Sequence, residues 1–148
     1  MRTEIEAADI VLWRSATLCR SERAPWHARQ ATGLWLVDSH PDVRADALQI
    51  VTELVTNVIQ HVPGGRGRDW VTVRLGFGGG FVRLEVIDPG TRTPAPCFLP
   101  LQLESMAESG RGLGIVAGLS IRCGTHVIER CHRVVWADLV LGVGGDAS

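Results

Sequence analysis

The sequence contains no lysine, because all 15 of its basic side chains are arginines. Three kinds of site depend on a lysine: the P-loop, the protein-kinase fold and the pyridoxal-phosphate Schiff base. The absence of lysine excludes all three. A phosphate-binding site in this chain would therefore have to use backbone N–H groups, arginine or a metal ion.

A long apolar run and a strong excess of one charge are also missing. No segment approaches the roughly 18 apolar residues of a membrane helix, and charges stand near the N-terminus where a signal peptide is apolar. The formal net charge is -1, whereas surfaces that bind nucleic acid are usually basic. We therefore expect a cytoplasmic protein that binds neither membranes nor nucleic acid.

The cysteines form no recognisable motif. Four are present, and no two of them make a C-x-x-C pair of the kind found in zinc and dithiol redox sites. Because disulfides are rare in the cytosol, we predict that all four are reduced thiols. They are Cys19, Cys97, Cys123 and Cys131.

Length and composition indicate a single globular domain over residues 1–148. Single domains commonly contain about 100–200 residues. Hydrophobic residues make up 45% of the chain and charged residues 21%, which is close to the average for globular proteins. We therefore expect one domain and no second domain in this sequence.

Periodicity predicts two helices in the first half of the chain. The first helix begins near Pro25 and carries side chains at three- to four-residue spacing: Trp26, Gln30, Leu34 and Val37. The second begins after a turn at 39–42, with Asp42 as its predicted N-cap, and ends before Pro63.

Alternating patterns predict strands in the second half, in addition to a short strand near 10–14. Residues 70–77 and 81–88 alternate on either side of three glycines, which predicts an antiparallel hairpin. A proline-rich loop at about 91–109 is a predicted lid. A short helix at 115–119 and closing strands within 120–130 and 132–141 follow. This order predicts an α+β fold, a two-layer sandwich with helices on one face of a mixed, mainly antiparallel sheet.

Three clusters in this framework could carry chemistry, and the first is on the second helix. Glu53, Asn57 and His61 are spaced i, i+4, i+8 and so share one face of the helix. A solvated glutamate with a satisfied core asparagine and histidine would produce the same spacing. A cleft would instead give a general base at Glu53 and an amide oxygen at Asn57 suited to Mg²⁺.

The second cluster ends the hairpin. Alternation places Asp88 on the same face as Val82, Leu84 and Val86, so its carboxylate points toward the core. A buried carboxylate needs hydrogen-bond donors. Asp88 could cap the turn that follows at Pro89-Gly90, or it could accept from a ring amine such as that of adenine.

The third cluster is the glycine-rich segment 110–114 (GRGLG). Its backbone N–H groups can converge ahead of a helix N-terminus, which favours an anion and needs no lysine. The spacing differs from the G-x-G-x-x-G pattern of dinucleotide-binding folds. A loop without a ligand remains an alternative for this segment.

Taken together, segments 53–61 (ELVTNVIQH), 86–90 (VIDPG) and 110–116 (GRGLGIV) resemble a known family. It is the ATP-binding domain shared by gyrase, heat-shock chaperone, histidine-kinase and mismatch-repair ATPases (GHKL, the Bergerat fold). The segments are more similar still to its small stand-alone branch, which contains the anti-sigma-factor serine/threonine kinases. The resemblance spans nearly the whole chain.

This resemblance implies ATP and Mg²⁺ as cofactors and a role for each cluster. Glu53 would be the catalytic base, Asn57 the Mg²⁺ ligand and Asp88 the acceptor for the adenine amine. The other implied nucleotide contacts are His61, Gly90, Gly110, Arg111, Gly112, Leu113 and Gly114. The implied partners are an anti-anti-sigma (STAS-like) protein that is phosphorylated on serine or threonine and a sigma factor, with the chain acting as a homodimer.

One position departs from the family pattern. The closing strand of this branch often reads GKTVW, with its threonine beside the adenine-binding aspartate, whereas this chain has Val134 at the matching place. Two alternatives to a kinase therefore stay open: a non-catalytic module that sequesters a partner when ATP is bound, and an interaction domain that binds no nucleotide. A histidine kinase is less consistent with the sequence, because the chain has no room for a dimerisation helix pair.

Overall fold

The computed structural model describes residues 10–90 and 112–141, with Gly112 and Leu113 described by their backbone alone. The predicted lid at 91–109 and two of the predicted phosphate contacts, Gly110 and Arg111, lie outside these ranges. Cys97 does so too. No helix within the described ranges is long and apolar enough to cross a membrane.

The described residues form five strands and three α-helices. The strands are β1 (Leu12–Cys19), β2 (Trp70–Phe77), β3 (Phe81–Asp88), β4 (Arg122–Val127) and β5 (Arg133–Val140). The helices are α1 (Ala24–Trp35), α2 (Pro41–His61) and α3 (Gly112–Leu119), and a short 3₁₀ turn (Glu129–Cys131) joins β4 to β5.

The strands form one sheet in the order β1-β2-β3-β5-β4, and each of its four strand pairs is antiparallel. The predicted hairpin is confirmed, with Phe77 opposite Val82 and Thr72 opposite Ile87. β5 lies between β3 and β4, so the last described strand in sequence is an interior strand of the sheet. The predicted α+β sandwich is confirmed.

The core lies between the helices and one face of the sheet. Because successive side chains point to opposite faces of the sheet, every second residue of β2, β3 and β5 points into the core. Its strand members are Val71, Val73, Leu75, Val82, Leu84, Val86, Val135, Ala137 and Leu139, and its α2 members include Ile50, Val51, Leu54, Val55 and Val58. α2 is therefore the central helix of the layer, in contact with β3, β5 and α3.

The start of α2 differs from the prediction. His40, not Asp42, is the N-cap, because its imidazole nitrogen accepts the backbone N–H of Asp42 at 3.1 Å. Pro41 follows as the first helical residue, a position where its missing N–H costs nothing. Asp42 lies in the first turn instead, where its charge favours the helix dipole.

α1 does not bury the face that carries the large apolar residues Trp26 and Leu34. Trp26 is 52% exposed and Leu34 is 73% exposed. The residues that α1 buries are the small Ala24, Ala28 and Gly33, together with Thr32. Small side chains allow close packing against α2. Trp26 and Leu34 therefore remain in solvent, whereas Trp35 at the end of α1 packs partly against the core.

The other face of the sheet carries charges that pair with one another. Arg83 donates to both carboxylate oxygens of Asp138 at 2.7 and 2.9 Å, and Arg122 donates to the same carboxylate at 3.2 Å. Glu85 accepts from Arg74 at 3.2 Å. Burial raises the pKa of Glu85, and the positive charge of Arg74 opposes that rise.

Two tryptophans lie on the same face, each stacked on an arginine. The guanidinium carbon of Arg74 is 4.0 Å from the ring centre of Trp13, and that of Arg83 is 4.3 Å from the ring centre of Trp136. These are cation–π contacts, and the flat rings cover the paired charges.

Candidate functional site

The first predicted cluster lies on the exposed side of α2. Glu53 and Asn57 are partly exposed, one helical turn apart, and His61 is exposed at the last residue of the helix. Within the described residues, the side chains of Glu53 and Asn57 have no hydrogen-bond partner. Neither the core nor a neighbouring side chain occupies their polar atoms, so both remain available to a ligand.

The second cluster is buried, as the alternation predicted. Asp88 is 0% exposed at the end of β3. Its Oδ1 accepts the backbone N–H of Gly90 at 2.7 Å, and its Oδ2 accepts Nε of Arg133 at 3.0 Å and lies 2.9 Å from Nη2 of Arg133. Burial raises the pKa of Asp88, and the charge of Arg133 is the strongest opposing influence.

Arg133 is the site residue that the sequence reasoning missed. The sequence comparison set Val134 beside Asp88, but the register pairs Asp88 with Arg133 and pairs Val134 with Ile87. Paired residues share a face of the sheet, so Val134 lies on the face opposite Asp88. Side chains two residues apart on a strand share a face, and Val135 points into the core. This alternation would have placed Arg133 on the same face as Asp88.

The turn after Asp88 packs against the start of β5. Gly90 has a φ of 75°, and a Cβ added to it would collide with the carbonyl oxygen of Cys131. Arg68 donates to the carbonyl oxygen of Gly90. On the other side of this contact, Arg130 and Cys131 both have a positive φ, at 63° and 62°. The backbone is tightly constrained where the two segments meet.

Cys131 also corrects the prediction of reduced thiols. It is disulfide-bonded, whereas Cys19 and Cys123 are free. The disulfide is thus adjacent to the turn that contacts Gly90, two residues before Arg133. Part of the region around Asp88 is held by a covalent bond that the sequence pattern did not reveal.

The third cluster lies partly within a helix. α3 begins at Gly112, three residues before the predicted start, so Gly112, Leu113 and Gly114 form its first turn. The N–H groups of a first turn have no partner inside the helix and favour an anion. Gly114 is exposed, and a Cβ added to it would have no neighbour within 4 Å.

The fold brings the three clusters onto elements that touch. α2 packs against both β3 and α3. The three clusters therefore lie on α2 and on two elements that contact it. No group of three or more histidine, cysteine, aspartate or glutamate side chains within the described ranges could hold a metal ion.

Comparison with known proteins places the chain in a family. The model of the histidine kinase-like ATPase domain matches residues 21–136. No curated protein matches the chain.

Among solved structures, the crystal structure of the RsbU and RsbW domains of Rv1364c from Mycobacterium tuberculosis has the same fold. It superimposes with a TM-score of 0.66 at 19% sequence identity, over 88% of this chain and 33% of that one. The chain thus spans about a third of the length of that crystallised chain. With the family match over most of its residues, the chain belongs to the histidine kinase-like ATPase domain family, and membership implies that it binds ATP.

Proposed function

We propose that this protein is an ATP-dependent serine/threonine kinase of the anti-sigma-factor type. It would transfer the γ-phosphate of ATP to a serine or threonine of an anti-anti-sigma (STAS-like) partner and also sequester a sigma factor. The observation that carries the proposal is the pair Glu53 and Asn57, partly exposed on α2 without described hydrogen-bond partners. Family membership supports the nucleotide, and the motif resemblance supports the partners.

Each cluster has a role in this proposal. Asp88 binds the amino group of adenine, and the turn at Gly90 bounds that end of the site. The first turn of α3 offers N–H groups to the phosphates. Glu53 accepts the proton of the attacking hydroxyl, and positioning with charge stabilisation supplies most of the remaining acceleration, as in other phosphoryl transfers.

A magnesium ion fits the residues present. Nucleotide-bound Mg²⁺ usually keeps several waters and takes one or two protein oxygens along with the phosphates. The amide oxygen of Asn57 suits that requirement, and a cluster of three acidic ligands is not needed. When bound, the ion would neutralise phosphate charge, while Asn57 would fix its position beside Glu53.

The test of catalysis is Glu53→Gln, which removes the base and keeps the shape of the side chain. With labelled ATP and candidate anti-anti-sigma partners, we expect phosphorylation to slow by about 100-fold or more, the usual contribution of a general base. Glu22→Gln is the matched control, since Glu22 is exposed in the turn before α1. Unchanged labelling in Glu53→Gln would remove Glu53 from the mechanism.

ATP binding and partner capture, measured beside phosphoryl transfer, separate the kinase from a non-catalytic module. Tight ATP binding without transfer to any partner, together with partner capture that requires ATP, would favour the module. Absence of any thermal shift at millimolar Mg·ATP would exclude both, because a ligand bound to the folded state raises apparent stability.

The homodimer is part of the same proposal. The sheet face opposite the helices carries two partly exposed tryptophans, Trp13 and Trp136, each beside an arginine. Aromatic and arginine side chains are enriched in protein interfaces. Light scattering of the purified protein would test this assignment, and a monomeric mass at micromolar concentration would refute it.

A further inference from the structure

The buried ion pair between Asp88 and Arg133 lies where the proposed function places the adenine ring. Both side chains are almost fully buried, at 0% and 5% exposure. Nη2 and Nε of Arg133 both contact the same oxygen of Asp88, Oδ2, at 2.9 and 3.0 Å. The guanidinium therefore holds one edge of the carboxylate in a fixed orientation.

The hydrogen bonds to Asp88 leave little of its acceptor capacity unused. An ionised carboxylate offers about four lone-pair positions, two on each oxygen. Arg133 occupies both positions on Oδ2, and the N–H of Gly90 occupies one on Oδ1. One position on Oδ1 remains. This one lone-pair position is enough to accept a single N–H from an amino group.

The charge of Asp88 depends on the same pair. Burial raises the pKa of Asp88 from its ordinary value, and the charges of Arg133 and, more weakly, Arg68 oppose the rise. Arg133 comes from β5 and Arg68 from the connection between α2 and β2. α2 also packs on β3 and carries the ionisable Glu53 and His61 in its C-terminal half.

We propose that Arg133 is the positioning residue of the base site: it fixes the orientation of the Asp88 carboxylate and leaves Oδ1 as a single acceptor for the amino group of a purine. This inference rests on the proposed function, since it takes the purine to be the adenine of ATP. Arg133 acts through Asp88 and is not itself a catalytic residue. Specificity for the amine is then set by two residues on neighbouring strands.

The inference is tested by the affinity ratio of two nucleotides. Purine riboside triphosphate carries hydrogen where ATP carries the amine, so the ratio of its Kd to that of ATP isolates the amine contact. A hydrogen bond to a charged group contributes roughly 1.5–3 kcal/mol, which corresponds to a ratio of about 10 to 100 in favour of ATP. The ratio is measured by calorimetry from acidic to alkaline pH.

Replacing Arg133 should change the pH at which this preference appears. In Arg133→Met the opposing charge is lost, so the pKa of Asp88 rises further and the carboxyl binds a proton at higher pH. A protonated carboxyl is a weaker acceptor. We expect the ratio to fall toward one near neutral pH in this variant and to recover as the pH increases, whereas the native protein keeps its preference to lower pH.

Three further variants make the test specific. Arg133→Lys keeps the charge and should keep the native pH profile. Arg133→Gln is neutral but can still donate to Asp88, and it should shift the profile upward even if Arg133→Met does not fold. Arg122→Met is the matched control, because it removes an arginine that pairs with Asp138 on the opposite face.

The outcomes distinguish this inference from the proposed function. A native preference for ATP with unshifted profiles in the Met and Gln variants would overturn the role of Arg133 and leave ATP binding intact. An equal shift in Arg122→Met would also overturn it. If the native protein binds ATP without preferring it over the analogue, Asp88 is not the amine acceptor and the role of Arg133 falls with it, while ATP binding and the Glu53→Gln test of catalysis stand.

Discussion

Gly90 is the position where a single methyl group should most directly disturb the base site. Its φ of 75° is a conformation that alanine adopts only at a cost, and the added Cβ would collide with the backbone carbonyl of Cys131. A backbone atom cannot rotate away as a flexible side chain can. Gly90→Ala must therefore displace the turn after β3 or the start of β5.

The expected cost comes from two sources. The left-handed conformation costs a non-glycine residue about 1–2 kcal/mol, of which about 0.4–1 kcal/mol is offset because alanine restricts the unfolded chain. Forcing an extra methyl into a packed site adds about 1–3 kcal/mol. We expect Gly90→Ala to lower the free energy of unfolding by about 2–4 kcal/mol. At about 3 °C per kcal/mol for this size, Tm should fall by about 6–12 °C.

Two other glycines separate these sources. Gly67 has a φ of 73° with nothing within 4 Å of an added Cβ, so Gly67→Ala should show only the conformational cost, about 0.5–1 kcal/mol. Gly79 has open space and no positive φ, so Gly79→Ala should be close to neutral. Urea denaturation gives the three values.

The ranking is the test. Equal losses in Gly90→Ala and Gly67→Ala would refute the predicted collision with Cys131. Because Gly90 also donates to Asp88, we further expect weaker ATP binding in Gly90→Ala alone.

Three other predictions concern charge and the disulfide. Asp138→Asn should lower the free energy of unfolding by about 3–5 kcal/mol, since the carboxylate is a buried partner of Arg83. Asp42→Asn on the surface is the control and should change the free energy of unfolding by under about 1 kcal/mol. Similar losses in the two variants would contradict the prediction. Arg74→Met removes a charge that opposes the raised pKa of Glu85. In this variant the folded state binds the Glu85 proton more tightly than the native protein does. The extra loss of stability should therefore be absent below the ordinary pKa of 4.5 and grow as the pH rises above it. Urea denaturation at several pH values measures this loss, and a loss independent of pH would refute the prediction. Cys131→Ser should lower the free energy of unfolding by about 2–4 kcal/mol and make Tm insensitive to reductant. Cys19→Ser changes a free thiol and should do neither. An unchanged Tm in Cys131→Ser would count against a stabilising disulfide.

The hairpin and the inward position of Asp88 could be predicted because their signals are local. Two alternating runs separated by three glycines specify both strands and their antiparallel pairing. Once the apolar residues of β3 define the core side, the pleat fixes where Asp88 points. α2 is similar, since its apolar periodicity and Pro63 define most of its length.

The glycine segment 110–114 shows the limit of motif reasoning. Its composition indicated an anion site, but not that α3 would begin at Gly112. Glycines are weak helix formers, so propensity favours a loop there. Contact of α3 with α2 offers a physical reason for the earlier start, because tertiary packing commonly overrides propensity.

The sequence by itself thus determined the fold class, the central hairpin and the side of the sheet on which Asp88 lies. The orientation of α1 was decided by tertiary packing, because the close approach of two helices favours small residues such as Ala28 and Gly33 over the large Trp26. Tertiary structure also decided that Arg133, not Val134, meets Asp88. The register between β3 and β5 joins residues 45 positions apart, and such a pairing is set by how whole strands pack on a shared core, which no local pattern records.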